Sequence, residues 1–294
     1  MSRPERIFGF DLELVPASQA ALPLTDLTIR RGYGAFDFLR VVEGVPLFLG
    51  DHLARFERTA ELLGLTPRPS SDRVAKHVGE VIAANQHGTF GLQLFFTGGD
   101  PLDGFHPGTP RTLVLVVDLP VYPDAYYRDG VALLPLRFER DLPEAKTTNY
   151  FTAVRHAREL RAAGAADVLY HDGRLVLETT RCNLFVATDE GALVTPADGV
   201  LEGITRMHLL EALDGEIAVA TRDVSLDELK HAPEAFLTST TKGVMPVVRV
   251  GDDTVGSGRP GPLARRAAEA FERHRTAWLA AHALDRAAAG PASA

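Results

Sequence analysis

What this chain of 294 residues lacks sets its first limits. It has a single cysteine, which excludes an internal disulfide framework and any metal centre built from several thiolates. It has no excess of positive charge: the net charge is −8, where a nucleic-acid partner calls for a basic surface. No apolar run approaches the roughly 18 residues that a membrane-spanning helix needs. The start of the chain, Met1 to Arg6, is followed only by a short apolar stretch broken by Asp11 and Glu13. That is no signal-peptide core, and the expectation is a cytoplasmic protein without membrane contact. No Gly-x-Gly-x-x-Gly follows the first predicted strand, so a dinucleotide fold has no support. None of the ten histidines stands at a recognisable metal-ligand spacing, and no metal is expected. Internal repeats are missing too. Lysine occurs at only four positions, Lys76, Lys146, Lys230 and Lys242, and arginine supplies the rest of the 31 cationic side chains.

What is present is the composition of an ordinary globular protein, 45% apolar and 24% charged. Strands are predicted at 45–50, 90–97 and 112–118, from apolar runs bounded by Gly and Pro. Asp51 is the expected N-cap of a helix to about Leu65, with Leu53, Phe56, Ala60 and Leu63 as its apolar stripe. Ser70 or Ser71 caps a second helix carrying Val74, Val78, Val81 and Ile82. Residues 1–120 are expected to form a small N-terminal α/β domain, and the Pro- and Tyr-rich 121–130 a linker. Residues 131–285 make a larger C-terminal domain, and 286–294 a disordered tail. Within the larger domain a strand is predicted over 131–138 and a helix over 149–163. A hairpin turns at His171-Asp172-Gly173, and further strands are predicted at 183–187, 192–195, 235–239 and 247–250. An amphipathic helix from Pro262 to about Leu284 closes the chain.

Four sets of residues could carry chemistry. Lys146 lies between a strand and a helix among small and polar residues, where a lysine amine can be aimed into a cleft. Such an amine becomes nucleophilic when desolvation or a nearby cation lowers its pKa, and it then forms Schiff bases with carbonyl groups. A solvated loop lysine is the plain alternative, and Lys242, after a Thr pair, is a weaker rival. Glu202-Gly203-Ile204-Thr205-Arg206 opens a helix, where free backbone N–H groups attract anions. Ser239-Thr240-Thr241 adds hydroxyl donors at a strand end, and Arg55, one turn after His52, adds a guanidinium suited to phosphate, or else to the surface. Glu178 terminates an apolar strand, where a carboxylate needs a proton, a cation or water. Cys182 has only the expectation of a small buried residue.

Taken in order, these residues resemble the fold type IV family of pyridoxal phosphate enzymes, which contains D-amino acid aminotransferases, branched-chain aminotransferases and aminodeoxychorismate lyases. The resemblance runs from about Leu22 to Val250. Arg31 to Arg40 is similar to the family's N-terminal segment, and His52-Leu-Ala-Arg55 to its His-x-x-Arg helix. Lys146 with Asn149 is similar to its Schiff-base lysine motif, and Glu178 with Asn183-Leu-Phe to the glutamate under the pyridine nitrogen. The resemblance implies a two-domain α+β fold, pyridoxal 5′-phosphate as cofactor, amino acid and keto acid substrates, and a homodimer. It implies Lys146 as the catalytic residue and Arg55, Tyr150, Glu178, Gly203, Ile204, Thr205 and Thr240 as cofactor-binding residues.

Two details narrow the choice within that family. Lys146-Thr-Thr-Asn149 has the short spacing that resembles D-amino acid aminotransferases and the lyases rather than branched-chain enzymes. The Arg-x-His pair that traps the α-carboxylate in the well-known D-amino acid enzymes is missing, since the matching stretch is Phe95-Phe-Thr-Gly-Gly99. Arg31 and Arg181 resemble the substitutes used by a less common group, with Thr241 and Lys242 as further substrate contacts. The expectation is a D-amino acid aminotransferase. The alternatives are an aminodeoxychorismate lyase, a branched-chain or (R)-amine transaminase of the same fold, and a binding module without catalysis.

Overall fold

The computed structural model describes residues 4–85 and 88–288. They group into two compact units, one reaching to residue 120 and taking in 145–150, the other made of 121–144 and the described residues from 151 on.

The first unit is built on a six-stranded antiparallel sheet in the order Glu13–Pro16, Ile7–Phe10, Thr112–Val117, Phe90–Thr97, Gly34–Val42, Val45–Pro46. Alternation along Gly34–Val42 sends Ala35, Asp37, Leu39 and Val41 to one fully buried face. Asp37 therefore enters the core by register. Helix Leu49–Leu62 buries His52, Leu53, Arg55, Phe56, Thr59 and Ala60, and helix Ser71–Ala84 buries Val74, Val78, Val81 and Ile82.

Several local expectations change. The strand predicted over 45–50 shrinks to Val45–Pro46, because the helix already begins at Leu49. Its N-cap is Phe48, in the left-handed region at φ 56°, and Asp51 falls inside the first turn, where a carboxylate still favours the helix dipole. Residues 145–150 group with the first unit although the sequence places them in the second domain. Their backbone explains this: Phe36 N–H donates to the Lys146 carbonyl at 2.9 Å, and Thr148 N–H to the Gly34 carbonyl at 2.9 Å. An antiparallel bridge joins Ala35 to Thr147 between them.

The second unit is built on a nine-stranded mixed sheet. Its order is Val219–Thr221, Leu193–Thr195, Asn183–Ala187, Ala235–Ser239, Gly243–Val250, Val131–Arg137, Asp167–His171, Val176–Thr179, with Asp253–Thr254 paired to Gly243–Val250. Val131–Arg137 runs parallel to both of its neighbours. Leu184, Val186, Leu237, Met245 and Val247 form the centre of the core on this sheet. The predicted linker contains a short helix, Asp124–Arg128. The helix predicted over 149–163 is broken into Phe151–Arg155 and Ala157–Ala162. The last helix runs Pro262–Ala288 and takes in the first residues of the expected tail; the remainder, 289–294, lies outside the described residues.

Candidate active site

In the first unit the candidate phosphate cation is locked in place. Arg55 donates to Asp37 from Nε to Oδ2 at 2.9 Å and from Nη2 to Oδ1 at 2.8 Å, and His52 Nδ1 lies 2.8 Å from the same Oδ1. All three side chains are buried. Burial opposes charge on Asp37, but the Arg55 guanidinium and His52 outweigh it and hold the carboxyl well below its usual range. Burial is the largest influence on His52; it lowers the ring's pKa, Asp37 opposes this, and the charges of Arg55 and Lys146 add to it. His52 is therefore a neutral ring that orients Asp37, and Arg55 is a pre-formed cation on a rigid helix.

Lys146 is positioned through its backbone. Its N–H donates to Thr59 Oγ1 at 3.1 Å and its carbonyl accepts from Phe36, so helix Leu49–Leu62 and strand Gly34–Val42 both fix its Cα. Its ammonium lies 4.7 Å from the centroid of the Phe36 ring, on which Tyr150 packs edge-on at 5.6 Å. Lys146, Tyr150 and the His52–Arg55 helix are thus brought together within one unit. Its amine lies on an aromatic face, close enough to His52 for its charge to be felt at that ring.

Arg31 ends the helix Leu27–Arg31, exposed, with its Nη1 donating to the Arg30 carbonyl at 2.9 Å. That helix is stapled to the end of strand Phe90–Thr97. Asp26 caps it by accepting from Thr28 N–H at 2.9 Å and also accepts from Thr97 Oγ1 at 2.8 Å. Gly98 N–H donates to Thr28 Oγ1 at 3.0 Å. A Cβ on Gly98 would come within 2.7 Å of Leu27 Cβ, so this approach needs glycine.

In the second unit Glu178 is buried at the end of Val176–Thr179, and both of its oxygens accept hydrogen bonds. Arg140 donates to Oε1 from Nε at 2.8 Å and lies 2.6 Å from it through Nη2; Leu201 N–H donates to Oε2 at 3.0 Å. Leu201 is held in turn by Asn183, whose Nδ2 donates to its carbonyl at 2.7 Å. Asn183 also explains Gly203: a Cβ there would lie 2.0 Å from Asn183 Oδ1. One chain of contacts therefore couples the acid Glu178 to the start of helix Ile204–Leu213. That helix has no side-chain cap, and its first N–H groups, from buried Ile204 and Thr205 onward, have no acceptor within the helix. Arg206 anchors it, donating to Thr195 Oγ1 at 3.1 Å and the Pro196 carbonyl at 3.0 Å.

Thr240 and Thr241 are half-buried in the turn after Ala235–Ser239, and Thr241 Oγ1 lies 3.1 Å from the Tyr122 hydroxyl. Lys242 is buried, with Nζ 3.4 Å from Asp167 Oδ2 and 3.2 Å from Cys182 Sγ. Burial works against its charge, yet the Cys182 sulfur, Asp167 and Tyr122 hold its pKa above the ordinary lysine value. A charged, internally paired lysine is a poor nucleophile. Arg181 is exposed in the turn after Glu178.

The donor sets fit pyridoxal 5′-phosphate by their chemistry. A buried, hydrogen-bonded carboxylate suits a protonated ring nitrogen, an uncapped helix start and a buried guanidinium suit a phosphate, and a lysine on an aromatic face suits an aldehyde. The class IV amino-transferase family model matches residues 34–250. The chain belongs to the class IV aminotransferases. It is a pyridoxal phosphate-dependent transaminase with the fold type IV architecture.

This aminotransferase is 29% identical to the D-alanine aminotransferase of Bacillus licheniformis over 269 residues, covering 90% of this chain and 95% of the relative. It is 26% identical to branched-chain-amino-acid aminotransferase-like protein 2 of Arabidopsis thaliana, covering 89% of this chain and 49% of that longer relative. In fold it matches the branched-chain amino acid aminotransferase of Escherichia coli, with a TM-score of 0.84 at 23% identity over 92% of this chain and 94% of the other. No helix among the described residues is long and apolar enough to cross a membrane.

Asp37, Thr59 and Arg140 escape the sequence reading, and Asn183 enters it only as part of the motif after Glu178, without its role in holding Leu201. Asp37 and Asn183 have a signal in retrospect, as polar residues inside apolar alternations. Arg140 has none, being one of many arginines, and Thr59 acts through a backbone contact that no local pattern reveals.

Proposed function

We propose that this class IV aminotransferase transfers the amino group of a D-amino acid to a keto acid such as pyruvate or 2-oxoglutarate. When bound, pyridoxal phosphate supplies an electron sink for a bond broken at the substrate α-carbon. Lys146 would supply the amine that holds the cofactor's aldehyde, and the same amine would serve as the base that moves the substrate α-proton. Glu178, whose oxygens accept from Arg140 and the Leu201 N–H, would pair with the protonated pyridine nitrogen. The Ile204 and Thr205 N–H groups, Gly203, Thr240 and Arg55 would bind the phosphate, and Tyr150 would contribute a hydroxyl to the ring oxygen. Arg31, Arg181 and Thr241 bind the α-carboxylate. Lys242, the further substrate contact of this reading, is held in its turn by pairing with Asp167. In this reading the enzyme works as a homodimer in the cytoplasm.

The observation that supports the D-amino acid reading is the placement of Arg31. The strand end at 97–99 lacks Arg-x-His, so a carboxylate trap has to come from elsewhere, and helix Leu27–Arg31 is bound at that strand end through Asp26, Thr28 and Leu27. That helix presents Arg31, which among the described residues forms no ion pair, a guanidinium open to a carboxylate. The likeness to D-alanine aminotransferases over nearly the whole chain supports the same reading. A branched-chain L-amino acid activity is the second reading, supported by relatives of comparable identity.

A half-reaction panel decides between them. Holoenzyme is mixed with single D- and L-amino acids, and loss of the lysine-bound cofactor's visible absorbance is followed. D-alanine or D-glutamate is expected to react fastest; faster conversion of L-leucine than of any D-amino acid overturns the stereochemical reading.

A further inference from the structure

We propose that His208, Glu211 and His274 form a binding site for a zinc-class divalent cation. None of the three belongs to the machinery described above. His208 and Glu211 lie three residues apart on one face of helix Ile204–Leu213, and His274 comes from helix Pro262–Ala288, 66 positions after His208. The distance in sequence is why no ligand spacing is visible in the chain.

Their ligand atoms converge on one point. His208 Nδ1 lies 3.0 Å from His274 Nε2 and 3.3 Å from Glu211 Oε2, and His274 Nε2 lies 3.8 Å from that same oxygen. A tetrahedral ion with Zn–N and Zn–O arms of about 2.0–2.1 Å places its ligand atoms roughly 3.3–3.4 Å apart. The three observed edges bracket that value, so adjustments of a few tenths of an ångström would let one ion reach all three atoms.

The chemistry of the set is selective. Two imidazole nitrogens and one carboxylate oxygen suit zinc, whereas magnesium and calcium prefer oxygen-only shells with more ligands. Without a cation, a single N–H can lie between the two rings, and Glu211 Oε2 is left to compete for the same Nδ1. A cation uses all three lone pairs at once. The side chains grade from buried His208 through His274 to exposed Glu211, at 7%, 26% and 56% of their accessible surface. The open side leaves an entry path and room for a water as the fourth ligand. The ion would tie helix Ile204–Leu213 to helix Pro262–Ala288 one turn beyond Ile204 and Thr205, a structural clamp and not a reactant.

The test uses the holoenzyme, stripped with EDTA, dialysed into chelator-free buffer and titrated with zinc chloride. Bound metal is measured by plasma mass spectrometry and the Tm is recorded in parallel. One zinc per chain and a raised Tm are expected for the wild type and for H231A, which alters an exposed histidine elsewhere. Losing one of three protein ligands in H274A is expected to weaken binding by at least about tenfold and to abolish the zinc-dependent rise in Tm. Should H274A fail to fold, E211A, changed at an exposed position, carries the same expectation. Sub-stoichiometric zinc in the wild type, or equal zinc in the wild type and in the folded variant, overturns the proposal.

Discussion

Asp37 grips Arg55 through both carboxylate oxygens, at 2.8 and 2.9 Å, on the buried face of the first sheet. Removing one member of such a buried pair strands the other's charge. Asp37→Asn is therefore expected to lower the unfolding free energy by about 3–5 kcal/mol, read by urea denaturation.

The same pair predicts a pH profile. The Asp37 carboxyl is held below its usual value despite burial, by Arg55 and His52. The unfolded chain then takes up a proton first as pH falls. Stability from this group is complete above the unfolded pKa of about 3.9 and drains away below it, toward the lower folded value. His52 is also lowered, by burial, so its protonation in the unfolded chain adds a loss beginning below about 6.5. The urea midpoint is expected to fall steadily from about pH 7 to about pH 4, and the part below about pH 5 to be shallower in D37N.

Gly203→Ala tests the coupling between Glu178 and the helix start. The new Cβ meets Asn183 Oδ1 at 2.0 Å, and Asn183 holds Leu201, which donates to Glu178. The expected result is cofactor binding weakened by at least tenfold, about 1.4 kcal/mol, measured by equilibrium titration with pyridoxal phosphate.

Arg140 is a positioning residue for Glu178. Arg140→Met removes the guanidinium and should lower kcat far more than it raises the substrate KM, with partial rescue in Arg140→Lys. A variant with unchanged kcat would show that Glu178 needs only the Leu201 N–H.

Much of this is legible in the chain. The apolar stripe of Leu53, Phe56 and Ala60 lies buried on its helix, the Asp-Gly turn closes its hairpin, and the motifs in their order point to the family. The rest depends on long-range contacts. Strand Gly34–Val42 gives no clear signal because Asp37 and Arg40 interrupt its apolar pattern, and Asp37 is tolerated there only because Arg55 and His52 arrive from another element. The grouping of 145–150 with the first unit follows from backbone bonds to Gly34 and Phe36, which no side-chain pattern encodes.

Arg31→Ala and Arg181→Ala each remove a charge-assisted contact, of a kind that contributes about 1.5–3 kcal/mol. Under the proposed carboxylate trap, the KM for the D-amino acid rises at least about tenfold in each, from steady-state kinetics. An unchanged KM removes that arginine from the trap.

The central claim is that Lys146 carries the cofactor. Borohydride reduction of the holoenzyme, followed by proteolysis and mass spectrometry, fixes the cofactor to its lysine. The account predicts a phosphopyridoxyl group on the peptide containing Lys146; the same mass on Lys242, or on no lysine at all, contradicts it.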